Sequence, residues 1–224
     1  MTDFAQYLGA HRGELARLLV EHVALVAIAV GIAIAIGLPL GIAATRSARL
    51  ERPILGVANV LQTIPSLALF GFLIPLPFVG GVGARPAIVA LTLYALLPIA
   101  RNAHAGIRAV DPALIEAGRG MGMTDRQLLL KVELPLAVGI ILAGIRVATV
   151  VSVGVATIAA AIGAGGLGVF IFRGIAMVDN SVILAGAVPA ALLALCADGL
   201  VGLLERRLTA PGLGRRARAV PRPV

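Results

Sequence analysis

Charge is scarce in this chain of 224 residues: Asp, Glu, Lys and Arg together make up 13% of it, about half the share of an ordinary soluble domain. Tryptophan is absent, there are two tyrosines, and Cys196 is the single cysteine. A lone cysteine excludes an internal disulfide and any multi-cysteine metal site. Lysine is nearly missing as well, since 18 of the 19 basic residues are arginines. The one lysine, Lys131, stands between Leu130 and Val132, so the Gly-Lys-Ser/Thr loop that cradles nucleotide phosphates is not present. His11, His22 and His104 are scattered without metal-ligand spacing. No paired carboxylates or serine-centred nucleophile motif stands out. The chain is not expected to be an enzyme, and no cofactor or metal is expected to bind it.

Apolar residues fill the space: 59% of the chain is hydrophobic and mean hydropathy is +1.02. Too few charges remain to cover a water-exposed surface, so the expected solvent is the lipid bilayer. A helix needs about 20 apolar residues to cross ~30 Å of hydrocarbon. Uncharged runs predict five spans, at about 23–44, 54–76, 86–104, 136–162 and 182–204. The first has 22 uncharged residues, longer than a signal-peptide core of about 7–15. Asp3, Glu14 and Glu21 precede it, and it reads as a retained helix. The stretch 163–181 leaves room for a short helix at the surface. The expected fold is an all-α membrane protein with five transmembrane helices.

An odd number of spans puts the termini on opposite sides. Segments 45–53, 101–134 and 205–224 hold 3, 5 and 6 basic residues, 14 in all, whereas 1–22, 77–85 and 163–181 hold 4. Positive charge favours the cytoplasm. The expectation is therefore an extracytoplasmic N-terminal segment (1–22), a membrane domain (23–204) with a cytoplasmic segment at 108–135, and a basic cytoplasmic tail (205–224). The formal charge of +8 is then a topology signal, and no nucleic acid is needed to explain it.

The segment 108–135 carries the densest pattern. Asp111 before Pro112 marks a helix start. Gly118, Gly120 and Gly122 weaken that helix and permit a sharp turn. Thr124 with Gln127 makes a capping-box pattern for a second helix, which reaches Pro135 at the next span. A DNA-binding helix-turn-helix is excluded by the membrane tether at both ends. The letters Gly163-Ala-Gly-Gly-Leu-Gly168 fit a dinucleotide fingerprint, but no strand precedes them and Asp179 is too near. A tight turn is expected there.

Polar side chains inside spans are costly toward lipid. Asn59, Gln62, Thr63 and Ser66 fall at i, i+3, i+4 and i+7, one helical stripe. Pro65 in that stripe is placed to kink the helix and free a carbonyl. Arg146 is a lone cation in the fourth span, on a stripe with Thr149 and within reach of Asp198. These six residues either line a solute path or hold neighbouring helices together. Gly37-x-x-x-Gly41 permits close helix contact.

Glu116-Ala117-Gly118, then Gly122, nine residues, Val132 and Leu134-Pro135 resemble the EAA signature of ABC importer permeases: Glu-Ala-Ala, three residues, Gly, nine residues, Ile, one residue, Leu-Pro. Gly118 replaces the second Ala and Val132 replaces Ile. Four further stretches resemble the osmoprotectant branch: Gln62-Thr-Ile-Pro-Ser-Leu-Ala-Leu69, Gly106-Ile-Arg-Ala-Val-Asp-Pro112, Gly139-Ile-Ile-Leu-Ala-Gly-Ile-Arg146 and Ile162-Gly-Ala-Gly-Gly-Leu-Gly168. The resemblance covers about residues 20–205.

It implies a type I importer permease core in a bacterial cell membrane, moving glycine betaine, carnitine, choline or a related amine. It also implies three partners: an ABC ATPase subunit that consumes ATP and Mg, a second permease subunit, and an extracytoplasmic substrate-binding protein. Glu116, Ala117, Gly118, Gly122, Thr124, Leu134 and Pro135 would belong to the coupling segment that docks on the ATPase. Quaternary amines are best held by aromatic cages, and the lack of aromatics fits recognition by the external protein. The alternatives are a permease for another small solute such as an amino acid, a self-sufficient channel or ion-coupled carrier, or a membrane scaffold.

Overall fold

The computed structural model describes residues 2–77 and 79–209; the expected basic tail therefore lies outside the described residues from position 210 onward. Every regular element among the described residues is helical. In chain order they are α1 (Thr2–Ala10), α2 (Arg12–Arg46), α3 (Ala48–Thr63), α4 (Ser66–Leu73), α5 (Ala84–Arg108), α6 (Pro112–Gly120), α7 (Asp125–Leu128), α8 (Leu134–Ala159), α9 (Gly168–Met177) and α10 (Asn180–Leu208). A π-helical turn, Leu129–Glu133, joins α7 to α8, and a single 3-10 turn, Ala160–Ile162, closes α8.

Four helices are long and apolar enough to cross a membrane: α2, α5, α10, and α8 together with the turns leading into it. The second span is the correction. A single helix was expected over 54–76, whereas α3 and α4 meet at an angle of 100°. Proline explains the break. Pro65 has no N–H to continue the ladder, and it pushes the preceding residue out of the helical region. Ile64 is accordingly extended, at φ −72° and ψ 125°. Counting this broken pair as one span gives five.

Helix α2 also exceeds its expected length. Its 35 residues make a rod of roughly 50 Å at 1.5 Å per residue, against ~30 Å of hydrocarbon. The uncharged part, 23–44, can span, and the turns bearing Glu14, Arg17 and Glu21 continue beyond it. The short helix allowed for at 163–181 is α9.

The centre of the bundle is α5, packed between α2 and α8. Small residues set the approach. A Cβ added to Gly41 of α2 would lie 2.5 Å from the Ala100 carbonyl oxygen, and one added to Gly144 of α8 would lie 2.6 Å from that of Pro98. Both glycines therefore let backbones touch. Leu25, Val26, Phe70, Leu91 and Val153 fill the main core. Helix α10 is buried only near its start, at Val182, Ala185, Gly186 and Ala190. Farther along, Leu193 and Ala194 pack on the main core, whereas Leu192, Leu195, Leu200, Leu203 and Leu204 face outward, which lipid tails tolerate.

Polar contacts assign the connections to two ends. At one end Gly83 N–H donates to the Ile162 carbonyl at 2.8 Å, and Arg173 of α9 pairs with Glu14 of α2. At the other end Arg46 pairs with Glu133, and Arg108 lies 3.6 Å from Glu51. The basic segments 45–53 and 101–134 therefore share one end of the bundle.

Candidate functional site

The segment 108–135 is built as its sequence predicts. The Asp111 carboxylate accepts from Ala113 N–H at 2.9 Å, with Pro112 in the first turn of α6. Thr124 and Gln127 form a reciprocal capping box that starts α7: Gln127 N–H donates to Thr124 Oγ1 at 3.3 Å, and Thr124 N–H donates to Gln127 Oε1 at 2.8 Å. Between the helices Gly122 takes φ +81°, a left-handed conformation that glycine reaches without strain. Gly118 has a different job. It is buried, and a Cβ there would meet the Leu128 side chain at 2.6 Å, so its missing side chain lets α6 seat against α7. Glu116, Ala117 and Thr124 are exposed, as are Leu114, Met121 and Leu130.

Pro135 lies in the first turn of α8, directly after the π-helical turn. Just before it, Glu133 is buried. Arg46, the last residue of α2, grips that carboxylate with two hydrogen bonds, Nη1 to Oε1 at 3.0 Å and Nη2 to Oε2. The segment is thus tied to α2 at its root through an ion pair whose carboxylate is buried.

A cavity opens where α3 breaks from α4. Its volume is about 610 Å³, bounded by the 62–66 corner, the Tyr94–Asn102 stretch of α5, and Val147, Val151 and Val155 of α8. Two prolines shape it. Pro98 leaves the Tyr94 carbonyl without its helical partner, and Gln62 Nε2 donates to that oxygen at 3.0 Å. At the α3–α4 corner the free Ile64 carbonyl accepts the Tyr94 hydroxyl. Gln62 and Tyr94 therefore fasten α3 and α5 across two carbonyls that proline has exposed.

The predicted polar stripe is rearranged by the break. Ser66 leaves the helix that carries Asn59, Gln62 and Thr63, yet Gln62, Thr63 and Ser66 still meet on one cavity wall. Asn59 stands beside it, accepting from Arg101 Nη2 at 3.4 Å. Arg146 and Thr149 do not reach this cavity. Arg146 makes paired hydrogen bonds of 2.5 Å to Asp198 of α10, with Glu205 at 3.9 Å, and clasps α8 to α10. Thr149 donates to the Ile145 carbonyl of its own helix and borders a separate apolar groove between α2, α8 and α10.

Sequence reasoning missed Tyr94, Arg101 and Asn102. Their signal was available: with Pro98 they recur on one face of the third span at helical spacing. It also missed Arg46 and Glu133, which lie 87 positions apart.

At the other end of the bundle the glycine-rich turn is already occupied by the chain itself. Gly163, Gly165 and Gly166 all have positive φ. Gly166 N–H donates to the Glu21 carboxylate at 3.2 Å, and Leu167 N–H donates to His22 Nδ1 at 3.3 Å. His22 Nε2 faces the Val153 carbonyl at 3.1 Å, so the fully buried ring is the neutral tautomer protonated on Nε2. Nearby, Arg173 holds the Glu14 carboxyl below its ordinary range, chiefly by hydrogen bonding. The turn fastens α9 to α2.

Comparison with other proteins fits this architecture. Residues 33–210 match the family described as the binding-protein-dependent transport system inner membrane component. The choline transport system permease protein OpuBB of Bacillus subtilis is 44% identical over 96% of this chain and 98% of its own length. The osmoprotectant import permease protein OsmW of Salmonella typhimurium is 48% identical over 94% and 99%. The carnitine transport permease protein OpuCB of Listeria monocytogenes is 50% identical over 88% and 89%. Among solved structures, the MetNI methionine ABC transporter in an inward-facing conformation aligns with a TM-score of 0.82 at 27% identity, covering 90% of this chain and 99% of that one. The chain belongs to the binding-protein-dependent permeases, the multi-pass inner-membrane subunits of ABC importers.

Proposed function

We propose that this chain forms, with a second permease subunit, the membrane pathway of an ATP-driven importer for quaternary-amine osmoprotectants such as glycine betaine, carnitine or choline. The observation that carries the reading is the cavity at the α3–α4 break, walled by Gln62, Thr63, Ser66, Tyr94, Arg101 and Asn102 on one side and by valines of α8 on the other. Identities of 44–50% to choline, carnitine and osmoprotectant permeases, against 27% to the methionine transporter, favour that solute class over amino acids.

The arginine distribution supports an N-terminus outside and the 101–134 end in the cytoplasm. There the exposed face of α6 and α7, with Glu116, Ala117, Gly122 and Thr124 at its surface, receives the ATPase subunit. Leu114, Met121 and Leu130 supply apolar contact on the same exposed segment. ATP binding draws the two ATPase subunits together and moves this segment. The paired permeases then exchange inward-open and outward-open states, whose differing affinities for their partners set the direction. Solute arrives from an external binding protein. The chain itself hydrolyses nothing.

Reconstitution with the ATPase and the binding protein tests this directly. Glu116→Lys, or a bulky residue in place of Gly122, is expected to leave insertion intact while cutting uptake per ATP hydrolysed. Undiminished uptake in both variants refutes the coupling role. Solute flux through the chain without any ATPase refutes the importer reading.

A further inference from the structure

The cavity at the α3–α4 break holds a single full charge. Arg101 is the one basic residue among those that line it, and none is Asp or Glu. Among the described residues no carboxylate lies within 4.0 Å of its guanidinium, unlike Arg46, Arg108, Arg146 and Arg173. Its one hydrogen bond, Nη2 to Asn59 Oδ1, is long at 3.4 Å. A guanidinium carries five N–H donors in a planar fork that matches a carboxylate two bonds at a time. Most of that fork is unspent.

The surroundings do not neutralise the charge. Leu97, Val147, Val151 and Val155 are apolar walls that offer it no counter-charge. The amide groups nearby are already committed on their donor side: Gln62 Nε2 to the Tyr94 carbonyl and Asn102 Nδ2 to the Pro98 carbonyl. The cavity therefore presents one net positive charge. A quaternary ammonium ion that carries no anion is repelled there. A zwitterion offers its carboxylate to the guanidinium and keeps its cationic end at the other side of the cavity.

We infer that Arg101 is a carboxylate-receiving group in the pathway, and that this permease favours quaternary amines bearing a carboxylate, such as glycine betaine and carnitine, over choline, which has none. The inference rests on the reading of this cavity as the solute path. Specificity then has a second filter after the binding protein, at the step where solute passes α5.

The test compares Arg101→Gln and Arg101→Lys with the wild type in proteoliposomes containing the complete importer and its binding protein. Uptake of radiolabelled glycine betaine, carnitine and choline is measured at saturating solute. Because the binding protein is unchanged, its own preferences cancel when each variant is divided by wild type. The glycine betaine-to-choline and carnitine-to-choline rate ratios should fall about tenfold or more in Arg101→Gln, the loss expected when a charge-assisted hydrogen bond is removed. Arg101→Lys keeps the charge without the fork and should fall in between. Arg101 is exposed and bears one long hydrogen bond, so neither change threatens the fold. Equal effects on all three solutes, including no effect, overturn the inference while leaving the importer reading standing. A wild-type assembly that carries none of the three overturns both.

Discussion

The pair between Arg46 and the buried Glu133 predicts an asymmetry that can be measured. The Glu133 side chain is 4% exposed, whereas that of Arg46 is 43% exposed. Removing one partner of a buried ion pair costs ~3–5 kcal/mol because the other is left uncompensated. That penalty applies when Arg46→Met strands Glu133, and the half-open cation side places it near ~3 kcal/mol. The converse differs. In Glu133→Leu the guanidinium can turn to water, and the loss should be ~1 kcal/mol, typical of a surface pair. The two single variants should therefore differ by ~2 kcal/mol, about thirtyfold in the unfolding equilibrium. The double variant Arg46→Met/Glu133→Leu replaces the pair by apolar groups and should lie within ~1 kcal/mol of wild type. Reversible unfolding of the purified chain in mixed detergent micelles, titrated with dodecyl sulfate, reads all four species. If Glu133→Leu is the worse single change, or if the double variant loses the sum of the singles, the burial argument is wrong. Uptake per ATP is expected to fall even in the stable double variant, since the charge link from α2 to segment 108–135 is gone.

Two glycines in the same left-handed conformation should respond differently to alanine. Gly122 has φ +81° with open space around its missing side chain, whereas a Cβ on Gly166, at φ +77°, would sit 3.0 Å from His22 Nδ1. Gly122→Ala should cost ~1–2 kcal/mol of backbone strain alone, and Gly166→Ala measurably more by the same titration; equal losses would count against the His22 contact. Tyr94→Phe removes the hydroxyl that holds the Ile64 carbonyl and should cost ~1 kcal/mol. Uptake should fall with expression unchanged, and wild-type uptake would show that the α3–α4 corner does not depend on this bond.

Much of the architecture was legible because bilayer physics leaves few options. Uncharged run length located α2, α5, α8 and α10, and the cap chemistry of Asp111 and Thr124 located α6 and α7. The glycines at 163–166 were readable as a turn from their backbone freedom. What failed was the shape of the second span. Hydropathy records that residues 54–76 are apolar, but Pro65 alone leaves open whether a helix bends slightly or by 100°; the partner for the freed carbonyl, Tyr94, is remote in sequence. The cavity was half visible for a related reason. Gln62, Thr63 and Ser66 stood out as polar residues in an apolar run, while Arg101 and Asn102 were hidden at the charged end of the next span. Arg146 was noticeable for the same property, yet Asp198 turns it toward α10 and away from the cavity.

Helix α2 bears on how the protein is made. Its polar anchors lie near its two ends, and their partners come much later in the chain: Glu133 follows Arg46 by 87 residues, and Leu167 follows His22 by 145. At a synthesis rate of about 5–20 residues per second, His22 waits roughly 7–30 s for its backbone donor. Of the spans described, the earliest in the chain thus waits longest for its polar partners, which arrive only with α8 and the turn after it.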